Sequence, residues 1–136
     1  MTRAFLIVMD SVGLGGAPDA EAFFNGDLPD TGANTIAHIA QACEEGRAET
    51  GRSGPLNIPH LDALGLGAAM AHATSDPAPG LSAVPEGLYG VAAEISPGKD
   101  TPSGHWELAG VPVPWDWHYF PDEQPSFPQD LMEKTA

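Results

Sequence analysis

The stretch AFLIVM, residues 4–9, which runs directly into Asp10, is the strongest indication of fold class in this sequence. A run that is apolar at every position predicts a strand covered on both faces, as in the centre of a parallel α/β sheet. The following loop, residues 13–16, is rich in glycine. Ligands of open α/β sheets bind at the carboxyl ends of the strands. Asp10 is therefore a candidate ligand of a divalent cation, and its alternative role is that of a loop-capping aspartate.

Helices and one more strand are expected further along the chain. Apolar residues at i, i+3, i+4 and i+7 over 36–43 predict an amphipathic helix, with Thr31 or Asn34 as its N-cap. A short helix is expected over 59–64, and the alternation in residues 88–95 predicts a second strand. Two strands are few for a finished parallel sheet.

Thr101 is the second candidate for chemistry. It is a suitable N-cap for a helix over 102–108, which begins with Pro102. A hydroxyl at a helix N-terminus lies among free N–H groups and the positive end of the helix dipole, both of which stabilise a phosphoryl group. A threonine hydroxyl needs a base or a metal ion for activation, so a plain N-cap is the alternative. His105 follows one helical turn later and is expected near the same site.

Composition excludes several classes of partner. Lys and Arg number 5 against 19 Asp and Glu, a net charge of −14, so neither nucleic acid nor an anionic membrane surface is expected as a partner. The apolar run 4–9 is too short to span a membrane. The single cysteine, Cys43, lies on the apolar face of the predicted helix and is interpreted as a buried thiol. These features favour a cytoplasmic protein.

Four stretches of the sequence closely resemble phosphopentomutases. They are RAFLIVMDSVGLG (3–15), GANTIAHIA (32–40), GPLNIPHL (54–61) and GKDTPSGHWE (98–107). The last is the most specific of the four. The resemblance continues through residues 110–113 and 126–128, so it covers nearly the whole chain.

The resemblance implies an isomerase of the alkaline-phosphatase superfamily that interconverts ribose 1-phosphate and ribose 5-phosphate, and the deoxyribose pair, with two Mn²⁺ ions. It implies an α/β fold, an alkaline-phosphatase-like core with a mostly parallel central sheet. Residues 1–114 would form the N-terminal part of that core, and 115–136 the start of an inserted cap domain. Asp10 maps onto a metal ligand of the family. Thr101 maps onto the residue that carries the phosphoryl group, and we expect it to contact the metal as well.

Family members are much longer, and their remaining metal ligands lie in the later part of the chain. The 136 residues alone are therefore expected to be inactive. Two alternatives stay open. One is a related metal-dependent phosphoglycerate mutase or phosphatase, and the other is a non-catalytic, acidic interaction module. Of these possibilities, we expect an enzyme whose substrate is a small pentose phosphate.

Overall fold

The structure, a computed structural model, describes residues 2–98 and 100–135. Its regular elements are short and mostly helical. In chain order they are a 3-10 turn (Ala20–Ala22), β1 (Phe24–Asn25), β2 (Leu28–Pro29), α1 (Thr35–Glu44), α2 (Pro59–Ala63), α3 (Leu66–Ala73), α4 (Thr101–Leu108) and α5 (Gln129–Thr135). β1 and β2 pair antiparallel as a small hairpin, with Phe24 opposite Pro29. Within the described part of the chain, no helix has the length and apolar character needed to cross a membrane.

Neither of the two predicted strands forms among the described residues, so the expectation of strands at 4–9 and 88–95 was wrong. Residues 4–9 and 88–95 are not paired into any sheet, and the mostly parallel central sheet is not formed. Phe5 is 83% exposed and Ile7 84% exposed. A strand needs a hydrogen-bonding neighbour, and burial of both faces needs a layer on each side. Among the described residues, no strand pairs with residues 4–9 and no layer covers them.

Helix α1 confirms the predicted amphipathic helix. It begins at Thr35, and its N-cap is Asn34, whose side-chain oxygen accepts a hydrogen bond from the backbone N–H of Ala37 at 3.2 Å. The Asn34 amide also donates to Asp76 Oδ2 at 2.8 Å and to Thr74 Oγ1 at 3.3 Å. One buried side chain therefore both starts α1 and holds the segment that follows α3.

Helix α2 confirms the short helix expected at Pro59, whereas α3 was not predicted. Gly65 separates the two with φ of 111°, a left-handed conformation that favours glycine. Asp62 on α2 is buried, and its Oδ2 accepts the backbone N–H groups of Ser82 and Ala83, both at 2.9 Å. This carboxylate ties the loop after α3 back to the helix pair.

The apolar core lies around α1 and α3. Ile36, Ala37, Met70 and Leu81 form one buried cluster. Partly buried side chains pack against it, namely Leu14, Leu56, Ile58, Leu66 and Ala78. Cys43 is a buried free thiol, as its place on the apolar face of α1 predicts. The core thus excludes residues 4–9, which were expected to lie at its centre.

Candidate active site

Asp10 and Thr101, the two site residues expected from the sequence, line one cleft of about 430 Å³. One wall is the segment from Val8 to Gly13, and the other is the first two turns of α4 with Leu108 beyond them. Glu94 and His105 also line the cleft. The structure therefore brings together residues that are far apart in the sequence. The roles of Asp10 and Thr101 remain predictions.

The chain turns sharply just after Asp10. Ser11 has φ of 59°, a left-handed conformation that is uncommon for a residue with a side chain. Its backbone N–H donates to Asp10 Oδ1 at 3.0 Å, and its carbonyl accepts from Thr35 Oγ1 at 3.3 Å. Backbone strain of this kind, of order 1–3 kcal/mol, is concentrated at functional sites. Asp10 is exposed where it lines the cleft.

Thr101 is the first residue of α4, and the N-cap is Asp100 rather than Thr101. Asp100 has the extended backbone that an N-cap requires, and its Oδ1 accepts the N–H of Ser103 at 2.8 Å. Aspartate caps as well as any residue, so the cap moves one position upstream of the expected one. Thr101 is exposed on the first helical turn. Its hydroxyl still lies at the positive end of the helix dipole.

His105 lies beside Thr101, as its spacing of one helical turn predicts. Its Nδ1–H donates to the carbonyl oxygen of Thr101 at 2.9 Å. Because a carbonyl can only accept, this hydrogen bond assigns a proton to Nδ1. In the neutral ring Nε2 is then the hydrogen-bond acceptor. The His105 ring lines the same cleft as Asp10.

Glu94 is a cleft residue that no motif in the sequence indicates. Its Oε1 is buried and has no hydrogen-bond partner among the described residues. Burial raises the pKa of this carboxyl group, and the negative charges of Glu107, Asp100 and Asp19 raise it further. In the sequence it was one polar position of the expected strand 88–95, and nothing in that pattern distinguishes a cleft residue from a surface one.

Glu107 fixes the segment that leads towards Thr101. Its Oε1 accepts the N–H of Ile95 at 2.7 Å, and its Oε2 accepts both the N–H and the hydroxyl of Ser96 at 3.0 and 2.6 Å. The Ser96 hydroxyl oxygen in turn accepts the N–H of Val113 at 3.0 Å. The hydrogen bond from the Ser96 hydroxyl, followed by that from the Ile95 N–H, lowers the pKa of Glu107. The carboxylate thus joins α4 to the segment before it, and Ser96 links that segment to Val113 after the helix.

The metal content implied by the resemblance can be compared with this geometry. The described residues contain no group of three or more His, Cys, Asp or Glu side chains placed to hold a metal ion. Asp10 and Thr101 offer two oxygen ligands, whereas Mn²⁺ in an oxygen site takes about six. These residues therefore do not by themselves fit two Mn²⁺ ions.

Curated proteins named phosphopentomutase are similar to this chain over its whole length. The protein from Pectobacterium carotovorum subsp. carotovorum (strain PC1) is 54% identical over 138 residues, which is 100% of this chain and 33% of the relative. Those from Methylobacterium radiotolerans and Hahella chejuensis are 53% and 54% identical, over 96% and 98% of this chain and 32% of each relative. The resemblance seen in the sequence is thereby confirmed.

The chain spans about a third of the length of the curated relatives it matches. No family model matches the chain, and no solved structure matches it significantly.

Proposed function

We propose that this chain is the N-terminal part of a phosphopentomutase, an isomerase that moves a phosphoryl group between the C1 and C5 oxygens of ribose or deoxyribose. The observation that carries the proposal is 54% identity to a curated phosphopentomutase across the whole of this chain. The cleft that joins Asp10 to Thr101 supports it, because the two residues that the resemblance assigns to one site line one cavity.

In the proposed reaction Thr101 carries the phosphoryl group on Oγ1. Phosphorylated Thr101 gives its phosphoryl group to the free C1 hydroxyl of ribose 5-phosphate, whose proton leaves, and ribose 1,5-bisphosphate is formed. Thr101 then takes the phosphoryl group from the C5 oxygen, which regains a proton, and ribose 1-phosphate departs. Thr101 lies at the N-terminus of α4, where the positive end of the helix dipole favours the negative charge of the transferring group.

Two Mn²⁺ ions belong to the proposal through the resemblance. Asp10 is proposed as one ligand, and Thr101 is proposed to contact a metal ion as well. When bound, such ions neutralise charge on phosphoryl oxygens. The other ligands would come from a part of the enzyme outside these 136 residues.

We further propose that residues 1–114 belong to the catalytic core and 115–136 to the start of a cap domain. A cytoplasmic location is proposed with them, since the substrate is a phosphorylated sugar and Cys43 is a free thiol. The net charge of −14 favours a small-molecule substrate over nucleic acid.

Replacement of the proposed phosphoryl carrier tests the function. In the full-length protein, Thr101→Ala should abolish conversion of ribose 1-phosphate to ribose 5-phosphate, because no hydroxyl remains to accept the phosphoryl group. Thr50→Ala, at an exposed loop threonine, is the matched control and should leave turnover unchanged. The measurement is the rate of product formation by chromatography. Turnover by Thr101→Ala at the wild-type rate would remove Thr101 from the mechanism.

A further inference from the structure

Trp117 reaches back from the segment after α4 to the helix turn that bears Thr101. Its Nε1–H donates to Ser103 Oγ at 2.7 Å. Its ring also lies against Gly98, where an added Cβ would come within 2.7 Å of Trp117 Cδ1. The indole thus contacts the chain both before and after Thr101.

Ser103 passes this contact on to Asp100. The Ser103 side chain is fully buried, and its hydroxyl donates to Asp100 Oδ2 at 2.8 Å. A serine hydroxyl has one proton, so its oxygen serves as the acceptor for the Trp117 N–H. The hydrogen bonds therefore run in one direction, from indole to hydroxyl to carboxylate. Such chains strengthen each member, so loss of the indole N–H weakens the hydrogen bond from Ser103 to Asp100.

Thr101 lies between the two residues that this relay holds. Asp100 precedes it and caps the helix, and Ser103 fixes the same carboxylate through both its hydroxyl and its N–H. We propose, on the basis of the function proposed above, that Trp117 is a positioning residue for Thr101 and acts through Ser103 and Asp100. Without the indole N–H, the turn of α4 that bears Thr101 loses one of the hydrogen bonds that fix it.

Trp117→Phe in the full-length protein tests this role, because it removes the N–H and keeps an aromatic ring. Trp115→Phe is the matched control. Trp115 makes ring-edge contacts to Trp106 and Trp117 at centroid distances of 5.8 and 6.2 Å. We expect Trp117→Phe to lower kcat roughly tenfold, the upper range for one hydrogen bond, with KM nearly unchanged. The control should stay within about twofold of wild type on the same scale.

A double-mutant cycle separates positioning from general packing. In a Ser103→Ala background the relay is already broken, so Trp117→Phe should lower kcat no further. A loss of the same size in both backgrounds would show that Trp117 does not act through Ser103, and it would overturn the proposal.

Hydrogen exchange gives a readout that does not depend on the reaction. Exchange of the Ser103 backbone N–H should be faster in Trp117→Phe than in wild type or Trp115→Phe. Equal exchange in all three proteins would overturn the positioning role. If the wild-type enzyme fails to convert pentose phosphates, the proposed function is wrong, and the exchange rates still decide whether Trp117 orders this turn.

Discussion

Glu94 and Glu107 are carboxylates near the same loop, and their surroundings shift their pKa values in opposite directions. Burial raises the pKa of Glu94, whereas hydrogen bonds from Ser96 and Ile95 lower that of Glu107. Neither role was predicted from the sequence. The difference lies in burial and neighbouring negative charges for Glu94 and in hydrogen-bond donors for Glu107, and these surroundings depend on tertiary contacts and not on the residue type.

The raised pKa of Glu94 predicts a stabilising substitution. A carboxyl group whose pKa is raised in the folded state favours folding at pH values below its ordinary pKa, and that contribution is lost as pH rises through the raised value. Glu94→Gln should therefore have a higher Tm than wild type at pH 7, and the difference should shrink below about pH 4. Thermal melts of the full-length protein at several pH values measure it. A lower Tm for Glu94→Gln at pH 7 would contradict the raised pKa of Glu94.

The lowered pKa of Glu107 predicts the opposite behaviour. Its contribution to stability is present above the ordinary value of 4.5 and is lost as pH falls through the lowered pKa. Glu107→Gln should lower Tm at pH 7, since an amide nitrogen cannot accept the Ser96 N–H and hydroxyl, and should approach wild type in acid. Glu86→Gln, at an exposed residue in a loop, is the control and should leave Tm unchanged at both pH values. Equal melts for Glu107→Gln and wild type at pH 7 would show that these hydrogen bonds contribute nothing.

At the scale of elements, the close approach of two loops can be tested through one glycine. Gly80 has φ of 87°, and a Cβ there would overlap the carbonyl oxygen of Leu56. Gly110 has a similar φ of 84°, and a Cβ there would meet nothing within 4 Å. Gly110→Ala should cost about 1 kcal/mol of unfolding free energy from left-handed strain alone. Gly80→Ala should cost roughly 1–3 kcal/mol more, from the added overlap.

Urea unfolding of the two glycine variants, each made in the full-length protein, measures this difference in unfolding free energy. Similar unfolding free energies for the two would mean that Leu56 does not pack against Gly80 in solution.

Helices were easier to predict than strands in this chain. The spacing of Ile36, Ala40 and Cys43 and the capping type of Asn34 are local signals, and α1 forms where they indicate. A strand also needs a partner strand, and the local sequence does not show whether one is present. Residues 4–9 and 88–95 have no partner strand among the described residues, so they do not form a sheet. Helix α3 was not predicted, since glycine is a poor helix former and Gly67 lies inside this helix, close to Asp62 and Leu81.

At the scale of the whole molecule, few large side chains are buried among the residues that the structure describes. Leu6, Leu88 and Ile95 are 78%, 104% and 74% exposed. A polypeptide of these residues alone should therefore melt broadly and bind a hydrophobic dye, because exposed apolar surface adds nothing to folding stability. Differential scanning calorimetry with dye fluorescence measures both properties. A sharp, cooperative transition without dye binding would contradict the prediction.

The candidate site was predicted from the sequence only in outline. Asp10 and Thr101 could be named because each follows a recognisable local pattern and lies in a stretch that resembles phosphopentomutases. Glu94 and Trp117 could not, since the first is defined by a cleft and the second by a hydrogen bond to a residue on another element. Lys99, part of the most specific stretch, lies outside the described residues.

Transfer of labelled phosphate to Thr101 tests the central claim most directly. The full-length protein would be incubated with ribose 5-phosphate labelled in its phosphoryl group, and its peptides mapped by mass spectrometry and radioactivity. The proposed mechanism predicts label on the Thr101 peptide, because Thr101 takes its phosphoryl group from the C5 oxygen of the bisphosphate. Label on a different residue, or turnover with an unlabelled Thr101, would contradict it.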